Sequence, residues 1–238
     1  MEKPFVVCHM FVSMDGKIDG AFMTSPAAVP ARTAYGQLRD FYSCQATLYG
    51  TVTMYGGFAD GLLQEVPVSD AEYPLEDWTA PHEEDSFIVS ADPKGTLAWS
   101  KGYIQRPGRP RSHVIEVLTE QVPADYLSYL RKNGISYLFA GETWLDCPLL
   151  LHKLKTRFGI DRLMVSGGGY MNGSLLQDDL IDEVSIVMAP VADGSTTARS
   201  IFERSDFLPQ RSPAAFSLLE AKKLEGDGLW LRYTMKEQ

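Results

Sequence analysis

No apolar run in this sequence approaches the roughly 18 residues that a membrane-spanning helix requires, so nothing in it reads as a bilayer span. Cysteine is scarce. Cys8, Cys44 and Cys147 are the only three, and they form neither a Cys-x-x-Cys pair nor a Cys/His ligand spacing. That pattern excludes a disulfide framework, offers no metal site, and suits thiols kept in a reducing compartment. An excess of positive charge is also missing. With 22 Lys+Arg against 31 Asp+Glu the formal net charge is −9, which argues against a nucleic-acid partner, because phosphate backbones are held by clustered cations. The one basic cluster, RPGRPR at 106–111, contains two prolines and a glycine and reads as a solvated loop. The N-terminal segment MEKPFVVCHMFVSMDGK has too short an apolar stretch, and an aspartate too early, for a secretory signal. The expectation is a cytoplasmic protein that contacts no membrane.

What is present is a globular composition, 45% hydrophobic and 22% charged over 238 residues. A chain of that length hides roughly 70 to 75% of its unfolded surface on folding and needs no disulfide or metal to be stable. Strands are predicted at 4–12, 46–49, 86–90, 112–118, 135–140, 160–165 and 181–187, and helices at 31–41, 123–132, 147–158 and 170–180. Two further strands, 215–219 and 229–235, close the chain as an antiparallel pair. Residues 56–81, rich in Gly, Pro and acidic side chains, read as an excursion long enough to be functional or partly mobile. Strands alternate with helices until about Val187, and only strands come after it. The expected fold is therefore α/β, a mostly parallel sheet with helices on both faces and an antiparallel C-terminal edge. No composition break or repeat divides the chain, so one domain over 1–238 is expected.

The most informative stretch is VSGGGYMNGSLLQDDLIDEVSIVMAPVADG at 165–194. Gly167, Gly168 and Gly169 fall where a strand hands over to a helix, so unpaired backbone N–H groups and the positive end of the helix dipole meet a chain without Cβ atoms. Such a turn can cradle a diphosphate. It is also what any tight turn looks like.

Three pieces occur in order: SMDGKI at 13–18 after the first strand, GTVT at 50–53, and SGGGYMNGSLL at 166–176 before the next strand. This order, over nearly the whole chain, resembles the reductase (C-terminal) domain of the bifunctional riboflavin-biosynthesis deaminase–reductase, a member of the dihydrofolate-reductase-like superfamily. SMDGKI corresponds to the family's SLDGKI, Gly50 and Thr53 to its Gly-x-x-Thr turn, and 167–173 to its GGGxLNG pattern. The resemblance implies NADPH at the carboxyl edge of the sheet and hydride transfer from the nicotinamide to a small heterocycle. It places the diphosphate on Gly167, Gly168 and Gly169, with Tyr170 and Met171 continuing the first helical turn. Thr53, as N-cap of the segment after it, would hold another phosphate oxygen, and the backbone of Phe11 would meet the carboxamide. Asp15 and Lys17 would line the mouth of the site or be plain turn residues. Lys94, in the DPKG turn, would meet a 2′-phosphate or solvent. A homodimer is compatible with the family.

The departures lie on the substrate side. Ser166 stands where the family has a substrate-facing glutamate, and a hydroxyl cannot replace a carboxylate's charge. Gly57 stands near the place of a family aspartate. The family's phosphate-holding arginines have no clear counterpart; Arg39 is the nearest candidate, otherwise a solvated helix residue, and Ser25 would match a substrate-contacting serine. His9 shares a strand face with Phe11, where the family often has a lysine, and reads either as a proton donor or as a core histidine. The expected function is an NADPH-dependent reductase resembling 5-amino-6-(5-phosphoribosylamino)uracil reductase of riboflavin biosynthesis. The alternatives are a reductase of a pterin-like or other unphosphorylated molecule, or a nucleotide-binding protein that has lost catalysis.

Overall fold

The computed structural model describes residues 1–236. In chain order the elements are β1 (Phe5–Val12), α1 (Val29–Tyr42), β2 (Ala46–Gly50), α2 (Thr51–Tyr55), β3 (Gly61–Leu62), β4 (Phe87–Ala91), β5 (Leu97–Ala98), β6 (Tyr103–Ile104), β7 (Ser112–Leu118), α3 (Ala124–Lys132), β8 (Ser136–Phe139), α4 (Cys147–Phe158), β9 (Arg162–Val165), α5 (Gly169–Gln177), β10 (Glu183–Met188), β11 (Phe216–Lys223) and β12 (Leu229–Met235). Among the described residues no helix is long and apolar enough to cross a membrane. The chain forms two compact units, one made of Met1–Pro4 and Gln45–Asp161, the other of Phe5–Cys44 and Arg162–Gln238.

In the first unit, β2, β4, β7 and β8 are parallel neighbours and β6 joins β7 antiparallel. One sheet face carries Ile88, Val114 and Leu118, packed against Tyr126, Leu127 and Leu130 of α3. From the other face Phe87 meets Phe158 of α4 edge-on, with ring centroids 5.6 Å apart. Helix α4 has the bounds expected from sequence because its ends are chemically marked. Asp146 caps it by accepting from Leu149 N–H at 2.8 Å, and Gly159 closes it in the left-handed conformation. Ile160 then bonds back to Leu154, which is why β9 begins at Arg162 and not at 160.

Residues 56–81 are pinned by specific contacts. Trp78 and Tyr137 exchange two backbone hydrogen bonds at 3.0 and 2.9 Å, covering an edge of β8. The guanidinium of Arg131 lies 3.9 Å from the Tyr73 ring centroid and 4.8 Å from that of Trp78. The RPGRPR segment is an exposed loop from Pro107 to Arg111, as expected from sequence, with two of its cations anchored on aromatic rings. Arg106 stacks on Phe58 at 3.9 Å, while Arg111 stacks on Tyr103 at 3.6 Å and pairs with Glu84 at 2.5 Å.

In the second unit the strand order is β11-β12-β10-β1-β9. β1 is parallel to both β9 and β10, and β12 runs antiparallel to β10 and to β11. Seven of the eight residues of β1 are buried, which a strand enclosed on both faces requires. His9 points to α1, where it stacks on Tyr35. Met10, one residue on, points to α5, where Asn172 meets its sulfur. Helices therefore cover both faces. At the other end of α1 the buried Glu183 accepts from Tyr42 at 2.6 Å and from Arg232 at 2.7 and 3.0 Å, tying α1, β10 and β12 together.

Candidate active site

In the second unit, pairing of β1 with β9 ends at Cys8↔Val165, whereas pairing with β10 runs on to Val12↔Met188. The carboxyl half of β1 thus emerges beside the turn formed by Ser166 and the three glycines, in the place where parallel α/β sheets hold ligands. Gly167 has φ +94, a conformation that glycine adopts at little cost, and the Gly167–Gly168 peptide bond is cis. Gly168 is the N-cap of α5 in an extended conformation, and no side chain caps the helix. A Cβ on Gly167 would meet only Met10, at 3.4 Å. The uncapped helix start and the open approach at Gly167 fit an anion held by backbone N–H groups.

Gly169 has another task. A Cβ there would lie 2.6 Å from the carbonyl oxygen of Ser200, and one on Gly173 would lie 1.9 Å from that of Glu203. Glu203 N–H donates to Gly169 O at 3.0 Å. The missing side chains at 169 and 173 admit the chain's own segment 200–203, while the backbone N–H of Gly169, the first residue of α5, stays at the helix start. Tyr170 is exposed and its hydroxyl accepts from Arg199 at 2.9 Å. Met171 is buried, so only its backbone could serve a ligand.

The SMDGKI loop is fastened to the segment 191–200. Asp15 accepts from Ser13 Oγ at 2.6 Å and from the backbone N–H groups of Asp193 and Gly194, both at 2.9 Å. Those hydrogen bonds, Ser13's first, hold its carboxyl well below the usual range. Asp193 reciprocates by accepting from Phe22 N–H at 2.9 Å, and Asp19 accepts from Arg199 N–H at 2.9 Å. Lys17, half-buried, bridges antiparallel to Ser200. Asp15 thereby fastens the SMDGKI loop to residues 193–194. Asp193 escaped the sequence reading although its Asp-Gly turn signal was visible.

His9 is fully buried with both ring nitrogens taken, Nδ1 against Ser185 Oγ at 2.9 Å and Nε2 donating to Tyr35 O at 3.0 Å. Burial pulls its pKa down to about 4, so it is a neutral core histidine, and the proton-donor reading is corrected. Phe11 is buried against Phe22 and Tyr35. Ser25 lies half-buried between two short 3₁₀ turns. Arg39 is not simply solvated: its guanidinium donates to Ser166 Oγ at 3.2 Å, bringing a cation to the glycine turn.

In the first unit, Gly50 is the N-cap of α2 and Thr53 is the third residue inside it, which corrects the capping role given to Thr53. The hydroxyl that closes this turn belongs to Thr51, donating to Ala91 O at 2.7 Å. Lys94 is exposed at the tip of the DPKG turn.

A sequence model of the RibD C-terminal domain matches residues 4–228. The chain belongs to the RibD C-terminal domain family. It is 26% identical over 235 residues to the 2,5-diamino-6-ribosylamino-4(3H)-pyrimidinone 5′-phosphate reductase of Methanothermobacter thermautotrophicus, covering 98% of this chain and 99% of that one. The reductase of the same name from Aquifex aeolicus is 23% identical over 207 residues, covering 82% of this chain and 80% of that protein. Among solved structures, a pyrimidine reductase-like protein from Corynebacterium diphtheriae superposes with a TM-score of 0.70 at 12% identity, covering 99% of this chain and 93% of that one. Acinetobacter baumannii RibD superposes with a TM-score of 0.63 at 20% identity; there the match takes in 98% of this chain but only 58% of that longer protein. These likenesses establish the fold of RibD-type reductases, with the mostly parallel sheet expected from sequence.

Proposed function

We propose that this member of the family is an NADPH-dependent reductase of a phosphorylated ribosylaminopyrimidine, working in a soluble, cytoplasmic setting. The observation that carries the reading is the match, nearly end to end, with a curated reductase of 2,5-diamino-6-ribosylamino-4(3H)-pyrimidinone 5′-phosphate. The substrate proposed is that diaminopyrimidinone and not the uracil that the resemblance alone suggested, because the curated relatives are named for the compound that still bears its 2-amino group. Arg39 beside Ser166 supports a phosphorylated or otherwise anionic substrate, since it supplies the cation that sequence reading had found missing.

NADPH, when bound, supplies the hydride, and the chain's part is to bind, orient and exclude water. In the second unit the reading assigns Gly167, Gly168 and Gly169, with the backbone N–H groups of Tyr170 and Met171, to the diphosphate and the backbone of Phe11 to the carboxamide. In the first it assigns Gly50 and Thr53 to phosphate oxygens and Lys94 to the 2′-phosphate. Ser25, Arg39 and Ser166 are assigned to the substrate, with Lys17 at the loop that Asp15 fastens. A homodimer through the edge of β11 completes the reading.

The test is NADPH consumption by the purified protein with the diaminopyrimidinone and the uracil offered separately. Turnover of the diaminopyrimidinone is expected, and turnover of neither compound would overturn the proposal. In parallel, NADPH at 100 times its dissociation constant should add about 2.7 kcal/mol of stability, read as a rise in Tm. Gly168→Val should abolish most of that gain while the apo protein still melts cooperatively.

A further inference from the structure

The DPKG turn of the first unit is held far more firmly than a surface turn needs to be. Asp92 follows β4 directly and is 1% exposed. Its carboxylate accepts from Thr96 N–H at 2.5 Å, Thr96 Oγ1 at 2.8 Å, Leu97 N–H at 2.9 Å and Thr51 Oγ1 at 3.4 Å. Its backbone N–H donates to Val117 O at 3.1 Å. Pro93 O accepts from Thr119 twice, from the backbone N–H at 3.0 Å and from the hydroxyl at 2.8 Å. Gly95, at φ +65, donates back to Asp92 O at 3.0 Å, and a Cβ on it would strike Tyr126 at 2.5 Å. In this locked turn only Lys94 is exposed. Thr51 extends the lock to the start of α2, where Gly50 is the N-cap.

A flexible lysine discriminates poorly between ligands, because ordering its side chain and its loop consumes the binding energy that one charge contact returns. A lysine on a preorganised turn loses less. The lock lies at the carboxyl ends of β2 and β4, the edge where nucleotides bind in parallel sheets. We propose that Asp92 is a positioning residue for nucleotide selectivity, fixing the turn that presents Lys94 to the 2′-phosphate of NADPH. This rests on the assignment of Lys94 made above. Asp92 itself touches no ligand; its carboxylate is directed into the protein, and its effect passes through the turn.

The experiment is a double-mutant cycle read as the ratio of NADPH to NADH dissociation constants, measured by titration of the full chain without substrate. Lys94→Ala should weaken NADPH about fivefold to tenfold and leave NADH nearly unchanged, the scale of one charge-assisted contact to phosphate. Asp92→Asn, which keeps the shape but removes a carboxylate's acceptor capacity, should lower the same preference for NADPH about threefold or more, and should have no further effect on it when Lys94 is already alanine. A merely structural role for Asp92 would instead lower Tm and weaken both nucleotides alike. If Lys94→Ala moves the ratio and Asp92→Asn does not, the positioning proposal fails while the Lys94 assignment stands. If Lys94→Ala leaves the ratio unchanged, both fall. Should Asp92→Asn not fold, Thr96→Val, which removes one of the carboxylate's four donors and leaves Asp92 in place, carries the same cycle and the same outcomes.

Discussion

Glu116 lies on β7 among apolar neighbours, fully buried, with Trp99 Nε1 donating to one of its oxygens. Among the described residues, its other oxygen and the hydroxyl of its register partner Ser90 on β4 have no hydrogen-bond partner. Burial pushes its pKa well above 4.5, and the neighbouring Asp92 carboxylate adds to the effect. A proton held on the carboxyl gives the orphaned oxygen something to donate. The direction of the shift sets the sign of the pH dependence. An acid whose folded pKa is raised contributes stability that is fully present below its unfolded pKa, and that stability is lost as the pH rises through the folded value. Glu116→Gln keeps the shape, the acceptor for Trp99 and a donor, without a proton to lose. Denaturant unfolding should show the variant matching wild type near pH 5 and gaining on it by up to about 1.4 kcal/mol per pH unit above that, until the folded carboxyl ionises. A constant difference between pH 5 and 9 would show that Glu116 is not protonated in the fold.

At the scale of elements, glycines with the same letter do opposite things. Gly36 lies inside α1 with open space around its Cβ direction, so Gly36→Ala should stabilise by about 0.5–1 kcal/mol through helix propensity and loss of unfolded-state freedom. Gly173 lies inside α5 against the Glu203 carbonyl, so Gly173→Ala must displace a backbone and should cost about 1–3 kcal/mol. Thermal melts of the two variants should move Tm in opposite directions, and a rise for Gly173→Ala would mean that segment 200–203 does not lie where it is placed. The pair shows where sequence reading stops. Periodicity and punctuation located the longer strands, the bounds of α4 and the glycine turn, because Asp146, Gly159 and the apolar runs act locally, but not the two-residue strands β3, β5 and β6 or the short helix α2. What else it missed depended on residues far apart in the chain. Gly169 and Gly173 face a segment thirty residues on, Asp15 bonds to Asp193, and Arg39 finds Ser166 across the fold. β11 was foreseen only as far as 219, yet it runs to Lys223 because pairing with β12 continues to Lys223↔Leu229 across a bulge near Leu218. His9 looked equally like a ligand and a core residue until both its nitrogens were seen to be occupied.

At the scale of the molecule, β11 is an eight-residue edge strand, the element most exposed to pairing with another chain. Leu218 and Leu219 are more than half exposed, at 55% and 52%, and Leu229 is 39% exposed. On the face shared with Leu218, the register sets Tyr233 in one row, and Ala221, Leu231 and Ile186 in the next, all at least partly exposed, while Val184 beyond Tyr233 is buried. An apolar sheet face running to an open edge is what a subunit interface looks like before it is covered. A two-fold axis at Ala221 would pair β11 antiparallel with its copy and set Glu220 opposite Lys222, so the strand is complementary to itself in charge as well as in backbone. Light scattering on the purified protein should therefore give twice the chain mass of 26.5 kDa. Leu218→Glu places a charge on the apolar face and should shift the mass towards that of one chain without lowering Tm by more than the loss of association explains. A wild-type mass of 26.5 kDa at micromolar concentration would rule out this interface. A Leu218→Glu protein that stays dimeric would move the interface to another face.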